Sequence, residues 1–134
     1  MAINGRNKGS AGERECAEWL QKLLALPYKP KRNLEQTRSG GHDLLVEPFL
    51  VEVKRVEILA LRKWWTQVQK AYVEFDRNLL ETYDDVIPIV LFRQNRQKWK
   101  CLIDANWIGL PRGFVLLDNL ETKLWLKMMY SNTY

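Results

Sequence analysis

Residues 43–55, which read DLLVEPFLVEVKR, constrain the fold more than any other part of the chain. Two apolar runs flank a Glu-Pro pair, and both runs are rich in residues that favour strands. The pattern predicts strands at 43–46 and 49–55 that pair as an antiparallel hairpin. The proline at the bend disfavours a tight primed turn between them.

Apolar residues at steps of three and four predict helices elsewhere in the chain. The first helix runs from Ser10 to Pro27, where proline ends it, and a last helix covers 120–130. The long helix predicted over 58–82 has its apolar stripe at Leu61, Trp64, Trp65, Val68, Tyr72, Phe75 and Leu79.

The remaining strands follow from shorter apolar runs. Residues 86–92 form a continuous apolar run typical of a central strand, although Pro88 argues against complete pairing. Residues 99–103 are its expected hairpin partner. A last strand is predicted at 114–117, and the basic segment 28–38 has room for one short edge strand.

This order of elements predicts an α/β fold with a central mixed β-sheet flanked by helices, α-β-β-β-α-β at its core. We expect residues 1–134 to form a single domain. Within it, residues 1–9 are expected to be a flexible basic arm and residues 118–134 a C-terminal helix and tail.

The charge balance favours a polyanionic partner. The 134 residues include 21 Lys and Arg against 16 Asp and Glu, a net charge of +5. A basic surplus of this kind makes nucleic acid the first candidate. Hydrophobic residues make up 46% of the chain, which argues against disorder.

The few cysteine and histidine residues exclude several kinds of site. Cys16 and Cys101 form no C-x-x-C pair and His42 is the only histidine, so a zinc site of about four ligands is excluded. A Ser-His-Asp or Cys-His catalyst is disfavoured for the same reason. We expect two buried free thiols in a reducing cytoplasm, with neither a secretory signal nor a membrane span.

Carboxylates and a lysine on the hairpin form the most informative constellation. If the hairpin closes symmetrically, Leu45 faces Leu50 and Asp43 faces Glu52, with Lys54 on the same face as Glu52. Opposed like charges are destabilising, and a divalent cation between the carboxylates would relieve that repulsion. Mg²⁺ prefers such oxygen ligands. A solvated charge ladder is the alternative interpretation.

Glu13 lies at the N-terminal end of the apolar stripe of the first helix. One interpretation is a capping box, with Ser10 as the N-cap and Glu13 at the third helical position. The other is a catalytic role, and the pattern alone leaves both open.

Three motifs together resemble the PD-(D/E)XK nuclease superfamily. They are KGSAGER at 8–14, RSGGHD at 38–43 and VEVK at 51–54. Over 6–104 the chain is most similar to the archaeal-type Holliday junction resolvases and their phage relatives. His42 stands where the superfamily usually has proline.

The resemblance implies a role for each matching residue. Asp43 and Glu52 would bind Mg²⁺ or Mn²⁺, helped by the carbonyl of Val53, and Lys54 would orient the attacking water. Glu13 would support the metal site from the first helix. Ser39 would approach the scissile phosphate, and Gln67 would assist from the long helix. An ordinary polar residue at a helix edge is the alternative interpretation of Gln67.

Basic side chains around these motifs are candidate phosphate contacts, which would position DNA without reading its sequence. Ordinary solvated charge is the alternative for each cluster. Trp64 and Trp65 are expected in the core or a dimer interface. The DNA-binding candidates are Arg6, Lys8, Arg14, Lys31, Arg32, Arg38, Ser39 and Arg55, with a further basic loop at 93–100.

The sequence thus predicts a Mg²⁺-dependent endodeoxyribonuclease of DNA recombination and repair, foremost a Holliday junction resolvase. The family implies a homodimer acting on four-way or other branched DNA, and its phage members make a phage protein in the host cytoplasm one expectation. The alternatives are a relative that cuts a fork, nick or linear duplex, and a DNA-binding module without turnover.

Overall fold

Three helices and six strands make up the described part of the chain. The computed structural model describes the backbone of residues 2–33 and 41–132, with side chains from residue 9 to residue 131. The helices are α1 (Ala2–Leu23), α2 (Leu61–Glu74) and α3 (Asn119–Asn132). The strands are β1 (Lys31–Arg32), β2 (Leu44–Val46), β3 (Phe49–Arg55), β4 (Ile87–Arg93), β5 (Lys100–Asp104) and β6 (Phe114–Leu117). Short 3-10 helices lie at Arg77–Leu79 and Ala105–Ile108.

The strands form one six-stranded sheet in chain order from β1 to β6. Only β3 and β4 are parallel, because α2 crosses over between them, whereas every other neighbouring pair is antiparallel. The predicted mixed sheet in a single small α/β domain is confirmed. The hairpin register is also confirmed, since Leu45 pairs with Leu50 and Leu44 with Val51.

Helices cover both faces of the sheet, so each face buries its own apolar side chains. On one face, α1 and α3 pack over alternate β3 residues, including Phe49 and Val51. On the other face, α2 packs over Leu50. The predicted alternation of β3 side chains between two faces is therefore correct. The predicted core positions Trp64 and Trp65 are buried on the α2 side.

The start predicted for the first helix is wrong. Helix α1 begins at Ala2 rather than at Ser10, and so includes residues expected to form a flexible arm. Its buried stripe from Cys16 onward fixes the helix against the sheet. Adding turns to a helix that already exists costs far less than nucleating one, which lets a polar, glycine-bearing stretch continue it.

The predicted capping box is also wrong, because Ser10 lies inside α1. Its hydroxyl accepts a hydrogen bond of 2.7 Å from Nη2 of Arg32. Glu13 Oε1 accepts a second bond, of 3.1 Å, from Nε of the same guanidinium. Both side chains therefore tie α1 to the edge strand β1 instead of capping the helix.

Helix α2 is shorter than the predicted range 58–82, because polar side chains after it compete for its backbone. The Arg77 guanidinium donates to the carbonyls of Tyr72 and Phe75 and so ends the helix. Asp76 then accepts from the backbone N–H of Asn78 and starts the short 3-10 helix.

Pro88 fits inside the central strand β4 because of the side on which its ring lies. Ile87 donates its backbone N–H to Pro48 on the β3 side, at 2.7 Å. Successive N–H positions alternate, so the nitrogen of Pro88 faces β5, whose pairing with β4 begins only at Val90. Proline has no backbone N–H to donate, but no β5 residue is paired at this position, so no hydrogen bond of the sheet is lost.

The other elements differ little from the prediction. Strand β6 has the predicted bounds, β4 and β5 are each displaced by one residue, and α3 begins one residue early. Cys16 and Cys101 are buried free thiols, as expected. Among the residues that the structure describes, no helix has the length and apolarity to cross a membrane.

Gly12 allows α1 to approach β3 closely. A Cβ atom built on Gly12 would lie 2.6 Å from Cβ of Arg55. We expect Gly12→Ala to lower the free energy of unfolding by about 1–3 kcal/mol, because overpacking outweighs the better helix propensity of alanine. Urea unfolding measures the change.

Gly9→Ala is the matched control on the same helix, since nothing lies within 4 Å of a Cβ there. It should leave stability unchanged or raise it by up to about 1 kcal/mol. Equal effects of the two substitutions would contradict the close packing at Gly12.

Candidate active site

Asp43 extends the hairpin by one residue beyond the end of β2. Its backbone N–H donates at 2.9 Å to the carbonyl of Val51, the residue that is already the register partner of Leu44. Its carboxylate Oδ2 then accepts the backbone N–H of Val53 at 2.8 Å. The Asp43 carboxylate thus accepts the N–H that a backbone carbonyl would accept if β2 continued. This bond holds the carboxylate against β3.

Glu52 and Lys54 project from β3 beside Asp43. They alternate with Val53 along the strand, so they lie on the same face as Leu50, towards α2. Lys54 Nζ lies 3.6 Å from Glu52 Oε1. The carboxyl groups of Asp43 and Glu52 are close enough for each to shift the pKa of the other. The structure therefore brings together the two acids and the lysine that the sequence singled out.

Burial perturbs both carboxyl groups. Asp43 is 7% exposed and Glu52 8% exposed. Desolvation raises the pKa of both groups, and the charge of Asp43 raises the pKa of Glu52 further, to about 8, against the opposing effect of Lys54. The N–H of Val53 and the charge of Lys54 act to lower the pKa of Asp43, whereas Glu13 raises it. Both shifts favour the protonated forms of the pair relative to those of free carboxyl groups.

Oxygen atoms at this site form a donor set that suits a hard divalent cation. In a strand, the N–H and C=O of one residue point to the same side. The carbonyl of Val53 therefore points towards Asp43, past the end of β2. Within the described ranges, no group of three or more Asp, Glu, His or Cys side chains is arranged to hold a metal. Mg²⁺ needs only one or two carboxylates, because it keeps several waters, so the set fits that ion.

Glu13 lies beside the acid pair and is engaged elsewhere. Its negative charge reaches Asp43 and raises the pKa of that carboxyl. Its own carboxylate is paired with Arg32 of β1, as described above. Glu13 thus shapes the electrostatics of the site from α1.

The other predicted site residues have varied positions. Gln67 on α2, Arg14 on α1 and Lys31 on β1 are all exposed. Arg55 lies on the α1 face, 3.6 Å from Glu15.

For four of the residues predicted to contact DNA, the side chains lie outside the described part of the structure. Arg6 and Lys8 belong to α1, but only their backbone is described. Arg38 and Ser39 lie outside the described residues altogether. Their contacts with DNA stay predictions.

Asn33 is a site residue that the sequence analysis missed. Its backbone N–H donates to the carbonyl of Asp43 at 2.8 Å. Its side-chain amide donates to the carbonyl of His42 at 2.9 Å. These bonds fix the backbone that presents Asp43. A single asparagine in an irregular basic stretch gave no signal of this role.

His42 is buried beside the site rather than exposed in a loop. It is 3% exposed, and its ring packs edge-on against Phe75 with ring centroids 5.3 Å apart. Desolvation lowers the pKa of His42, so the neutral ring is favoured near pH 7. This side chain packs the end of α2 against the segment that carries Asp43.

Comparison of the chain with models of protein families, with curated proteins and with solved structures gives no match. Residue chemistry and geometry therefore indicate what the site can do. The pair of buried carboxyl groups, with Lys54 beside Glu52, is its central feature.

The raised pKa of Glu52 predicts a characteristic dependence of stability on pH. A carboxyl that holds its proton more tightly in the folded state loses stability as pH rises from its unfolded pKa, about 4.3, to its folded pKa. We expect the wild-type free energy of unfolding to fall between about pH 4.3 and the folded value of about 8. Glu52→Gln removes this titrating group. Its free energy of unfolding should therefore fall less, by about 1.4 kcal/mol for each unit by which folding raises the pKa of Glu52.

Urea unfolding at several pH values without divalent cations measures this difference. The exposed Glu81→Gln is the control, and its profile should follow that of the wild type. Parallel profiles for wild type and Glu52→Gln would contradict the buried acid pair.

Proposed function

We propose that the protein is a Mg²⁺-dependent endodeoxyribonuclease of the PD-(D/E)XK type that cuts branched DNA, foremost four-way junctions. One observation carries the proposal. Two carboxyl groups, each less than one-tenth exposed, lie close enough to perturb each other, and a lysine ammonium lies 3.6 Å from one of them. Burying two acidic groups together lowers the stability of the fold, and a cation bound between them would offset that cost.

Each residue has a distinct task in this proposal. Asp43, Glu52 and the carbonyl of Val53 would hold the ion, which acts as a Lewis acid on the phosphate when bound. The Val53 N–H keeps Asp43 in place before any ion arrives, so little reorganisation is needed. Lys54 is held next to Glu52 and supplies positive charge for the phosphate oxygens as negative charge accumulates on them.

The reaction itself is simple hydrolysis. A water oxygen attacks phosphorus and loses a proton, while the bond between phosphorus and the leaving sugar oxygen breaks. The leaving oxygen takes up a proton from solvent or from a protonated group. No redox partner is required, and neither cysteine nor histidine is needed as a nucleophile.

The choice of branched DNA rests on the motif resemblance and on the basic character of the chain. Two cuts in a junction require two sites, so a homodimer is part of the proposal. Arg14 and Lys31 are accessible at the surface and available to phosphates.

Conservative substitutions of the acids test the catalytic assignment. Asp43→Asn keeps an oxygen that can accept the Val53 N–H, and Glu52→Gln keeps the side-chain shape. We expect each to lower the rate of junction cleavage at least about 10²-fold, because the anionic ligand is lost. Junction affinity measured by gel shift should stay close to that of the wild type. Chelation of divalent cations should stop wild-type cleavage.

Asp84→Asn is the matched control, because Asp84 is an exposed aspartate remote in sequence from the acids. It should cleave as the wild type does. Full activity in Asp43→Asn or in the presence of chelator would refute the proposed mechanism.

Substrate geometry is tested with three DNAs of the same sequence, namely a four-way junction, a Y-fork and a linear duplex. We expect the junction to be cut fastest, with paired symmetric incisions. Equal cleavage rates on all three DNAs would contradict the resolvase assignment but would leave the nuclease assignment intact. Binding of all three without cleavage, with Mg²⁺ or Mn²⁺ present, would favour the DNA-binding module without turnover.

A further inference from the structure

A groove lies on the face of the sheet opposite to α2, where α1, the loop after β4 and the start of α3 meet. Basic side chains reach it from three segments that are far apart in sequence: Lys22 at the end of α1, Lys98 in the loop, and Lys123 on α3. Its other lining residues are Glu15, Glu18, Trp19, Arg93, Trp99 and Asn119.

The two acids of this groove are already engaged with other cations. Glu15 pairs with both Arg93 and Arg55, at 2.5 Å and 3.6 Å. Glu18 pairs with Lys29 at 3.1 Å, outside the groove. The lining therefore has four basic side chains against two acidic ones, which leaves the groove with a net positive charge.

The lysines themselves carry uncompensated charge. In the part of the chain that the structure describes, Lys22, Lys98 and Lys123 form none of the ion pairs. Lys22 and Lys98 are exposed, and Lys123 is partly exposed. Three convergent ammonium groups without a carboxylate partner form a site for an anion with several charges.

The floor of the groove favours a phosphate backbone over bases. Trp19 and Trp99 pack together there, with ring centroids 6.1 Å apart and tilted planes. Trp99 is only 4% exposed, so its face is not open for stacking. Asn119 fixes it further by donating to its backbone carbonyl at 2.8 Å. Trp19 is only partly buried, but the charged side chains outnumber it, so the groove favours phosphate contacts, which do not read sequence.

The groove is continuous with the strand that carries the active site. Arg93 is the register partner of Arg55 at the ends of the parallel strands β3 and β4. Arg55 directly follows Lys54 in the chain and points to the opposite face. Glu15, which lines the groove, pairs with both arginines and so links the groove to the ends of these two strands.

We propose that this groove binds the phosphodiester backbone of a second DNA arm while the acid pair holds the scissile phosphate. The inference rests on the proposed function and extends it by assigning a separate contact surface for the rest of the substrate. Because the contacts are to phosphates, they contribute affinity that is independent of sequence and sensitive to salt.

A charge-matched pair of triple variants tests the groove. The groove variant is Lys22→Ala, Lys98→Ala and Lys123→Ala in the full chain. The control variant is Lys63→Ala, Lys70→Ala and Lys127→Ala, which removes the same charge from exposed positions outside the groove. Junction affinity is measured by fluorescence anisotropy over a series of salt concentrations with Ca²⁺ in place of Mg²⁺. Unfolding curves verify that both variants fold.

We expect the groove variant to lose affinity at all sequences tested. The slope of log affinity against log salt should become shallower by about 0.9 for each phosphate that the groove no longer neutralises. The control variant should keep a slope near that of the wild type. Equal changes in both variants, or none in the groove variant, would overturn the proposal.

The outcome separates this inference from the nuclease assignment. If the wild type cleaves junctions but the groove variant binds like the control, the groove proposal fails alone. If the groove variant loses affinity while the wild type cuts no DNA, the groove stands as a DNA-binding surface and the catalytic assignment fails. Single-turnover cleavage by the groove variant at saturating DNA should equal that of the wild type, because no group at the acid pair has changed.

Discussion

The hydrogen bond from the backbone N–H of Val53 to the Asp43 carboxylate organises the site. It forms where β2 has ended and β3 continues, so the edge of β3 presents a donor and a carbonyl that no strand covers. An aspartate at that position satisfies the donor and brings its carboxyl group close to Glu52. Asn33 braces the same backbone from the end of β1. A mismatch in strand length thus creates the space in which the acids meet.

The acid pair conflicts with stability, and the surrounding structure compensates for it. Burial makes the charged forms of Asp43 and Glu52 unfavourable, which is why their pKa values are raised. The large apolar layers on both faces of the sheet supply the stability that this pair removes. Functional sites commonly keep such local conflicts, because a ligand resolves them when it binds.

Local patterns predicted the hairpin and its register, because side-chain alternation and the Glu47-Pro48 break fix both. They also predicted that Asp43, Glu52 and Lys54 would meet. The start of α1 and the end of α2 were not predictable in this way. They depend on tertiary contacts, such as those of Arg32 with Ser10 and of Arg77 with α2 carbonyls. The role of Asn33 likewise requires a partner from another strand, which no local pattern reveals.

The lack of a side chain at Gly12 couples α1 closely to the end of β3. Without a side chain between them, α1 and the end of β3 touch at the base of Arg55, directly after Lys54. Glu15 adds an ionic link from the same helix to Arg55 and Arg93. The helix and the two parallel strands are therefore expected to shift as one rigid unit. A displacement of α1 would therefore be transmitted through β3 to Lys54 on the opposite face.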